Sequence, residues 1–480
     1  MSGSKRSADA NPRLHRSRGG PTTKFAARVA DRMVDEIVSL GWPEGEVLGS
    51  EGELIERYGV SRAVFREAVR LVEHAGVARA RRGPGGGLVI TTPSVSSVIG
   101  AVMVYFTFAQ VRLDELFEAR LAVEEAIVQL APGRLTEQGI ARLRELVDAE
   151  ASGQSVDRRQ LHLELAALTG NPALELFVDI LTRVSNTYLG ELPQVSHATA
   201  ANSSHAHARI VEAVIAGNEG LARRRMRRHL HAEADWLRRR RTARQRIDAD
   251  LVHIGPSQPK RAEQISQEIF REIARSGWPV GELLGSEADL MARYDVSRAV
   301  LRESVRLLEH HQIAKMRRGP GGGLFVTEPG VGAITDSVAL YLERRGIEAV
   351  QLAEMRRGIE LACVELATNR MDDDAIMSIT AALAAERTAA DHEFSPTAHD
   401  LHVVIGNLTQ NRVLALMVQV LARLSMLHQR GPADVGPAPP VMREVVATHE
   451  KIVEAIVSGD AELARFRMRR HLDAMLPWLR

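Results

Sequence analysis

Apolar residues recur at helical spacing along most of the chain, which predicts a mainly α-helical protein. From residue 94 to residue 243 the apolar positions follow an i, i+3, i+4 pattern and strand signals are absent. Proline and glycine breaks divide this stretch into six or seven helices, which predicts a helical bundle. The same apolar pattern from Ala333 to Arg480 predicts a second bundle.

A different pattern, with short helices and a hairpin, precedes each bundle. In the first copy Ser50 and the acids after it begin a helix, Gly59 ends that helix, and Ser61 caps the next one. Helix, short turn and helix form the helix-turn-helix unit, whose second helix reads DNA. The strand-like runs that follow are joined by a glycine-rich tip at residues 82–87, which predicts a wing. A glycine-rich loop can also hold a nucleotide phosphate, but no Walker lysine-serine pair follows this one.

The second helix of this unit carries a row of arginines. Arg62, Arg66 and Arg70 stand at i, i+4 and i+8, so they share the face opposite the apolar one. Arginine offers a planar fork of donors to guanine or to phosphate, although many charged helix faces are only solvated surface. With the wing and the matching residues downstream, the predicted DNA-binding set is Ser61, Arg62, Arg66, Arg70, Arg82, Gly83, Ser297, Arg298, Arg302, Arg306, Arg318 and Gly319.

The whole arrangement occurs twice at a constant offset. The run Gly41-Trp42-Pro43 reappears as Gly277-Trp278-Pro279, and the match continues without a gap up to Arg120 and Arg356. A repeat this long indicates a fused duplication of a two-domain protein rather than a solenoid. The predicted order is a disordered basic tail (1–23), a winged helix-turn-helix domain (24–93), a helical effector-binding domain (94–243), a linker (244–260), a second winged helix-turn-helix domain (261–329) and a second helical effector-binding domain (330–480).

Each predicted bundle contains three histidines in matching sequence surroundings. They are His162, His207 and His229 in the first half and His402, His449 and His471 in the second. Three imidazoles on separate helices suit zinc, nickel or a similar divalent ion when their side chains meet inside the bundle. The alternative is a set of histidines that are hydrogen-bonded in a polar bundle core.

Composition limits the function classes that remain. Lys plus Arg is 62 and Asp plus Glu is 61, a net charge of +1, so DNA binding must come from local patches. The single cysteine, Cys363, excludes an internal disulfide framework and a cysteine-based zinc finger. The chain has no apolar run of membrane-spanning length and no secretory signal pattern, so a cytoplasmic location and no membrane partner are expected. No catalytic motif is present, and the chain is not expected to be an enzyme.

Each winged helix-turn-helix domain (24–93 and 261–329) is called a reader below. The motifs of the two readers resemble the GntR family of bacterial transcription factors, FadR subgroup. The resemblance is carried by Leu48-Gly49-Ser50-Glu51, by Val60-Ser61-Arg62 with Arg66-Glu67-Ala68, and by the run Arg81 to Leu88. The chain departs from the family at Gly49 and Gly285, where proline is usual. Gly52 and Ala288 stand where the subgroup's type member has a DNA-contacting arginine, so its operator sequence does not transfer.

Both bundles resemble the FCD effector domain, the usual partner of this type of reader. The resemblance implies that the three histidines and one aspartate hold a metal that contacts a carboxylate ligand. The aspartate position is Arg158 in the first half and Ala398 in the second, which is a serious departure. It also implies that Arg120 and Arg356 face the ligand and anchor its carboxylate, whereas their i+4 glutamates are equally compatible with simple surface salt bridges.

These features together predict a ligand-responsive regulator that acts as a repressor. Its expected partners are a near-palindromic double-stranded DNA operator, read by two similar readers of one chain, and a small carboxylate or acyl-type metabolite. The expected assembly is a monomeric pseudo-dimer or a dimer of chains. The alternatives are a metal-dependent enzyme tethered to DNA-binding modules and an architectural protein that bridges DNA.

Overall fold

The protein divides into two compact units, residues Met1–Thr92 and Pro93–Arg480. The structure, a computed structural model, describes residues 21–81, 83, 86–153, 157–188, 197–240, 247–254, 260–390, 400–429 and 439–479. The first unit contains the first reader alone. The second unit contains both helical bundles together with the second reader.

The first unit is a winged helix-turn-helix, as the pattern predicts. Ser50 and Glu53 form a reciprocal cap, in which the Ser50 hydroxyl accepts from the Glu53 amide at 3.4 Å and the Glu53 carboxylate accepts from the Ser50 amide at 2.9 Å. Gly59, at φ 65°, ends that helix in the left-handed conformation, and the Ser61 hydroxyl caps the next. The elements are α1 (Pro21–Ser39), β1 (Val47–Gly49), α2 (Glu51–Tyr58), α3 (Arg62–His74), β2 (Ala78–Arg81) and β3 (Gly87–Ile90). Helix α1 begins at Pro21, so residues 21–23 belong to it rather than to the predicted tail.

The wing is a three-stranded antiparallel sheet of order β1-β3-β2. Strand β3 lies so close to β1 that a Cβ at Gly87 would stand 2.5 Å from the carbonyl oxygen of Gly49. A side chain at Gly87 would therefore force the two strands apart. The second reader repeats this contact, since a Cβ at Gly323 would stand 2.5 Å from the Gly285 oxygen.

The second unit contains seven helices in the described part of each bundle, in agreement with the six or seven predicted. The first bundle comprises α4 (Val95–Phe108), α5 (Leu113–Leu130), α6 (Glu137–Ala151), α7 (Gln160–Leu168), α8 (Pro172–Thr187), α9 (His197–Ile215) and α10 (Glu219–Arg240). The second reader comprises α11 (Arg261–Arg275), β4 (Leu283–Gly285), α12 (Glu287–Tyr294), α13 (Arg298–His310), β5 (Ala314–Arg317) and β6 (Gly323–Val326). The second bundle comprises α14 (Val331–Arg344), α15 (Ala349–Asn369), α16 (Asp373–Ala390), α17 (Asp400–Leu408), α18 (Arg412–Gln429), α19 (Pro439–Val457) and α20 (Ala461–Met475).

The two bundles pack against each other through α5 and α15 and share one apolar core. Gly358 of α15 lies where a Cβ would stand only 2.9 Å from the Ala126 side chain, so the two helices approach closely. Equivalent asparagines of the two bundles form hydrogen bonds across this contact. The Asn171 amide donates to the Gln351 carbonyl and the Asn411 amide to the Glu115 carbonyl, each at 2.8 Å.

Part of the predicted linker is ordered against the second reader. Gln267 of α11 accepts from the Ile254 amide at 3.0 Å and donates to the Val252 carbonyl at 2.6 Å. Arg275 pairs with Asp250 at 2.5 Å. Residues 247–254 therefore form part of the folded unit, while residues 244–246 and 255–259 of the predicted linker lie outside the described residues.

Candidate nucleic-acid surface and effector site

The arginines of α3 lie on an exposed face, as predicted. The opposite face of the helix buries Val64, Phe65 and Ala68. Arg62 and Arg66 both reach Glu51 at the start of α2, with Nε to carboxylate distances of 3.2 and 3.6 Å. Because exposed ion pairs contribute about 0–1 kcal/mol, these guanidinium groups can exchange Glu51 for another anion at little cost.

The second reader presents the same geometry on α13. Arg298 and Arg302 reach Glu287 at 3.3 and 3.4 Å, and Arg306 pairs with Glu303 at 3.0 Å. In the first reader Arg70 pairs with Glu67 at 2.9 Å. The arginine faces of the two readers thus have the same neighbours as well as the same residues.

The serines that begin these helices have a structural role that spacing predicts. The hydroxyls of Ser61 and Ser297 accept from the amides of Val64 and Val300, each at 3.4 Å. A capping hydroxyl keeps its own proton available to donate to a neighbouring acceptor such as a phosphate.

The wing tips turn at glycines in the left-handed region. Gly83 has φ 101° and Gly319 has φ 104°. Arg318 is exposed beside Gly319, and the guanidinium of Arg317 stacks on Phe325 at 4.2 Å. Arg82, also a predicted DNA contact, lies outside the described residues.

In the first effector domain the three predicted histidines meet inside the bundle. His162 comes from α7, His207 from α9 and His229 from α10, and all three are buried. The Nε2 atoms of His207 and His229 are 3.3 Å apart, and one ring nitrogen from each histidine lies within 4.8 Å of the others.

The second effector domain repeats the cluster. His471 on α20 places its Nε2 atom 3.1 Å from that of His449 on α19 and 3.3 Å from that of His402 on α17. All three side chains are buried and again lie within 4.8 Å of one another. The prediction that these residues converge is therefore confirmed geometrically in both halves.

Buried glutamates orient the histidines from behind. The Nδ1 atom of His207 lies 2.8 Å from Glu150 on α6, and that of His449 lies 2.8 Å from Glu386 on α16. His162 bonds to Glu124 in the same way, and His402 bonds to Glu360 at 2.5 Å. A carboxylate at Nδ1 fixes the tautomer whose Nε2 lone pair points into the cluster. Sequence reasoning did not identify Glu150 or Glu386, because each lies far from its histidine in the chain and forms no local motif with it.

Burial favours the neutral, metal-binding form of three of these imidazoles, those of His229, His402 and His471. Burial lowers the pKa of His229 well below its usual range, and the neighbouring His207 and His162 add to this. In the second half burial likewise lowers the pKa of His402 and of His471, and the charge of Arg356 contributes to the lowering in both. Three imidazole nitrogens within 4.8 Å of one another, each from a different helix, are a donor set that fits zinc or nickel.

Arg120 and Arg356 are buried beside the histidines rather than exposed, so the surface salt-bridge alternative is wrong. Arg120 donates from Nε to Glu124 at 2.7 Å, and Arg356 donates from Nε to Glu360 at 2.6 Å. Burial alone would raise the pKa of Glu124, but Arg120 and His162 outweigh it and hold this pKa at about 2. Each guanidinium therefore belongs to a continuous arginine–glutamate–histidine chain that ends at the cluster.

A cavity of about 720 Å³ opens over the first cluster. Its inner wall includes Arg120, the three histidines and Glu233, and its outer wall includes Arg158. Arg158 precedes α7 and is exposed, so it does not occupy the position on the helix from which an aspartate would reach the cluster. Asp157 pairs with Arg159 at 2.7 Å instead of with a histidine. The corresponding Ala398 lies outside the described residues.

The described helices include none that is both long and apolar enough to cross a membrane.

Comparison with protein families matches the two kinds of domain twice each. The family described as "Bacterial regulatory proteins, gntR family" matches residues 25–87 and 261–326. The FCD domain matches residues 115–232 and 351–474. These segments together span well over half of the chain.

Curated relatives each correspond to roughly half of this chain. The uncharacterized HTH-type transcriptional regulator YcbG of Bacillus subtilis is 26% identical over 212 residues, which cover 44% of this chain and 86% of that protein. The Exu regulon transcriptional regulator of Escherichia coli is 29% identical over 194 residues, covering 39% and 74%. The Uxu operon regulator of Haemophilus influenzae is 25% identical over 223 residues, covering 44% and 78%.

A solved structure, that of Streptococcus agalactiae GntR, is 23% identical, covers 44% of this chain and 99% of its own, and superposes with a TM-score of 0.31. The repeated domain matches and the named relatives agree with the motifs in the sequence. The chain therefore belongs to the gntR family of bacterial regulatory proteins, contains two helix-turn-helix readers and two FCD effector domains, and is a transcriptional regulator rather than an enzyme.

Proposed function

We propose that this regulator is a repressor that binds one near-palindromic operator with both of its readers and responds to a small carboxylate or acyl-type metabolite. The observation that carries the proposal is the identity of the two arginine faces, down to the glutamate that each one contacts. Two equal readers prefer equal half-sites, and symmetry of the protein then matches symmetry of the DNA.

In this proposal α3 and α13 enter the major groove. Arg62 and Arg66, with Arg298 and Arg302, carry base readout, because a bidentate arginine contact to guanine discriminates by about 1–3 kcal/mol. Phosphate contacts come from the remaining predicted residues, namely Ser61, Arg70, Arg82, Gly83, Ser297, Arg306, Arg318 and Gly319, and they add salt-dependent affinity.

The effector binds at a histidine cluster, beside Arg120 in the first half or Arg356 in the second. A buried guanidinium and a group of metal-binding nitrogens favour an anionic oxygen ligand over a neutral or cationic one. We further propose that zinc or nickel occupies one or both clusters, and that the regulator acts in the cytoplasm. Support for regulation comes from the relatives named for the Exu regulon and the Uxu operon.

The experiment is selection of operator DNA by the full chain from a random pool, followed by anisotropy titrations of the selected duplex. We expect a near-palindrome, and we expect one or more members of a panel of small carboxylates, sugar acids and acyl-CoA thioesters to weaken its binding. Binding without sequence preference and without response to any of these would contradict the proposal.

A further inference from the structure

The two effector sites differ at one residue of the last helix. Glu233 lies four residues after His229 on α10, and Met475 lies four residues after His471 on α20. Four residues form about one helical turn, so each side chain lies on the same face as the histidine before it. The first site thus contains a carboxylate where the second contains a thioether.

In the first site Glu233 lies between the guanidinium and the histidines. One carboxylate oxygen is 3.0 Å from Nη1 of Arg120, and the other is 3.8 Å from Nε2 of His229. The Ser185 hydroxyl also accepts from the same Nη1 at 3.2 Å. Nε and Nη1 of Arg120 are therefore both engaged by protein groups.

In the second site the hydrogen bonding of the equivalent guanidinium is incomplete. Arg356 is buried, and its Nη1 atom has no hydrogen-bond partner among the described residues. A buried N–H that lacks an acceptor is destabilising, and more so when the group is charged. The imidazoles of the cluster do not form a hydrogen bond with this Nη1 atom, whereas an anionic oxygen between Arg356 and the cluster supplies the acceptor.

We infer that Glu233 fills, in the first effector domain, the position that a ligand carboxylate takes in the second. The inference rests on the proposed effector site and makes its two copies unequal. The second domain binds the effector carboxylate between Arg356 and the cluster of His402, His449 and His471. The first domain is closed to it by its own residue.

The same residue separates the two donor sets for a metal. In the first cluster a Glu233 carboxylate oxygen lies 3.8 Å from Nε2 of His229, so rotation of this side chain can add a fourth ligand to the three imidazoles and complete a closed site. The second cluster contains three imidazoles alone and leaves a position for an exogenous ligand. Glu233 therefore replaces the carboxylate that Arg158 does not provide, but from a different helix.

The cavity over the first site does not contradict this assignment. Arg158, Arg228 and Arg239 line the cavity and are exposed, so they attract anions to its mouth. A ligand carboxylate that moved further inward would meet the negative charge of Glu233 at the guanidinium. Two carboxylates bound to the same guanidinium would repel each other strongly in a partly buried site. The position beside Arg120 is therefore closed to a ligand carboxylate.

The test uses the full chain with Co²⁺ as a metal probe and acetate as a carboxylate probe. His471→Ala leaves only the first cluster intact, and His229→Ala leaves only the second. We expect acetate to change the Co²⁺ absorption spectrum of His229→Ala and to leave that of His471→Ala unchanged. We also expect the first cluster to bind Co²⁺ more tightly in competition with a chelator.

Exchange of the two residues tests the assignment directly. Glu233→Met in the His471→Ala chain should create an acetate response and weaken Co²⁺ binding at least about tenfold. Loss of a group that only hydrogen-bonds to a metal ligand already weakens binding by about this factor, so loss of a ligand should weaken it at least as much. Met475→Glu in the His229→Ala chain should abolish the response and tighten Co²⁺ binding. Thermal unfolding of each variant establishes that the chain is folded.

An acetate response in the His471→Ala chain, or none in the His229→Ala chain, would overturn the inference. So would a Glu233→Met exchange that changes neither spectrum nor affinity, or a chain in which neither cluster takes up Co²⁺. These measurements do not use operator DNA. If no metabolite released the chain from DNA, the proposed function would be contradicted, but the Co²⁺ and acetate results on Glu233 would still stand.

Discussion

The carboxylate of Glu115 in the first effector domain accepts three hydrogen bonds from Arg412 in the second. They come from the backbone amide at 3.0 Å, from Nε at 2.8 Å and from Nη2 at 2.7 Å. The Glu115 side chain is only 2% exposed. At the equivalent position on the other side of the α5–α15 contact stand Gln351 and Pro172, which have neither the carboxylate nor the guanidinium.

This difference favours pairing of the first effector domain with the second. Two first domains would place Glu115 against Pro172, which leaves a buried carboxylate without its arginine. Two second domains would place Arg412 against Gln351, which has no charge to match it. Because an uncompensated buried charge is strongly destabilising, both like pairings are disfavoured relative to the one within the chain.

Removal of the arginine should therefore weaken the interface. We expect Arg412→Ala to lower the free energy of unfolding by about 1–3 kcal/mol, since it leaves a buried carboxylate partly unsatisfied. Urea denaturation of the full chain measures this. Arg238→Ala, which breaks an exposed pair with Asp114, is the matched control and should change the free energy by less than about 1 kcal/mol. Equal effects of the two variants would refute the role of Glu115.

The same pair gives a prediction for pH. Burial raises the pKa of Glu115, but hydrogen bonds from Arg412 and Arg112 outweigh it, so the pKa lies below the usual 4.5. A carboxyl with a lowered pKa stabilises the fold above its unfolded pKa, and this contribution is lost as the pH falls through the folded value. We expect the stability gap between the wild type and Glu115→Gln to be constant from pH 7 to about pH 5 and to shrink below the usual pKa. Urea titrations at several pH values measure it, and a gap that grows on acidification would contradict the assignment.

The glutamates behind the histidines should control metal affinity. We expect Glu150→Gln and Glu386→Gln to weaken divalent metal binding in their own halves by about 10–100-fold, because a neutral amide orients the imidazole less firmly. Competition with a chelator, on protein purified without a His-tag, measures the affinity. Glu125→Gln is a suitable control, since that carboxylate bonds to Arg227 and not to a histidine. Less than about 0.2 metal per wild-type chain would argue against any resident metal.

Sequence patterns predicted the elements better than the contacts between them. Helical periodicity, capping at Ser50 and Ser61 and the duplication all depend on residues close in the chain or on repetition, and the structure agrees with them. Convergence of the histidines was expected from their matching positions on separate predicted helices in both halves and from the family resemblance. Glu150 and Arg412 could not be assigned from spacing, because their partners lie on other helices and packing alone brings them together. Glu233 lies one turn after His229, but its contact with Arg120 of α5 likewise depends on packing.

The arginine face of the first reader should carry specificity. We expect Arg62→Ala to weaken binding to a selected operator about tenfold or more and to weaken binding to random DNA much less, because a base contact is lost rather than a general charge. Anisotropy titrations at fixed salt measure both affinities. Arg344→Ala removes the same charge from an exposed position on α14, outside both readers, and is the control. If Arg62→Ala leaves the affinity for the selected operator intact, the recognition-helix assignment is wrong.

One chain should be sufficient for one palindrome. The readers present the same arginines, and Arg62 and Arg298 contact equivalent glutamates. Once one reader has bound its half-site, the other reader of the same chain is held nearby at a high effective concentration. The second half-site should therefore fill without a second chain. The asymmetric pair of Glu115 and Arg412 disfavours only the assemblies in which two first or two second effector domains from different chains pair with each other.

The mass of the complex decides this prediction. The chain has a mass of 52.7 kDa, and we expect native mass spectrometry to find one chain on a duplex that contains a single palindrome. On a symmetric operator Arg62→Ala and Arg298→Ala should weaken binding to the same extent, since the two half-sites are then equivalent. Two unrelated half-sites in the selected DNA would contradict equal specificity. A complex that needs two chains for each palindrome would show instead that the readers pair between chains, as they do in a dimer of separate subunits.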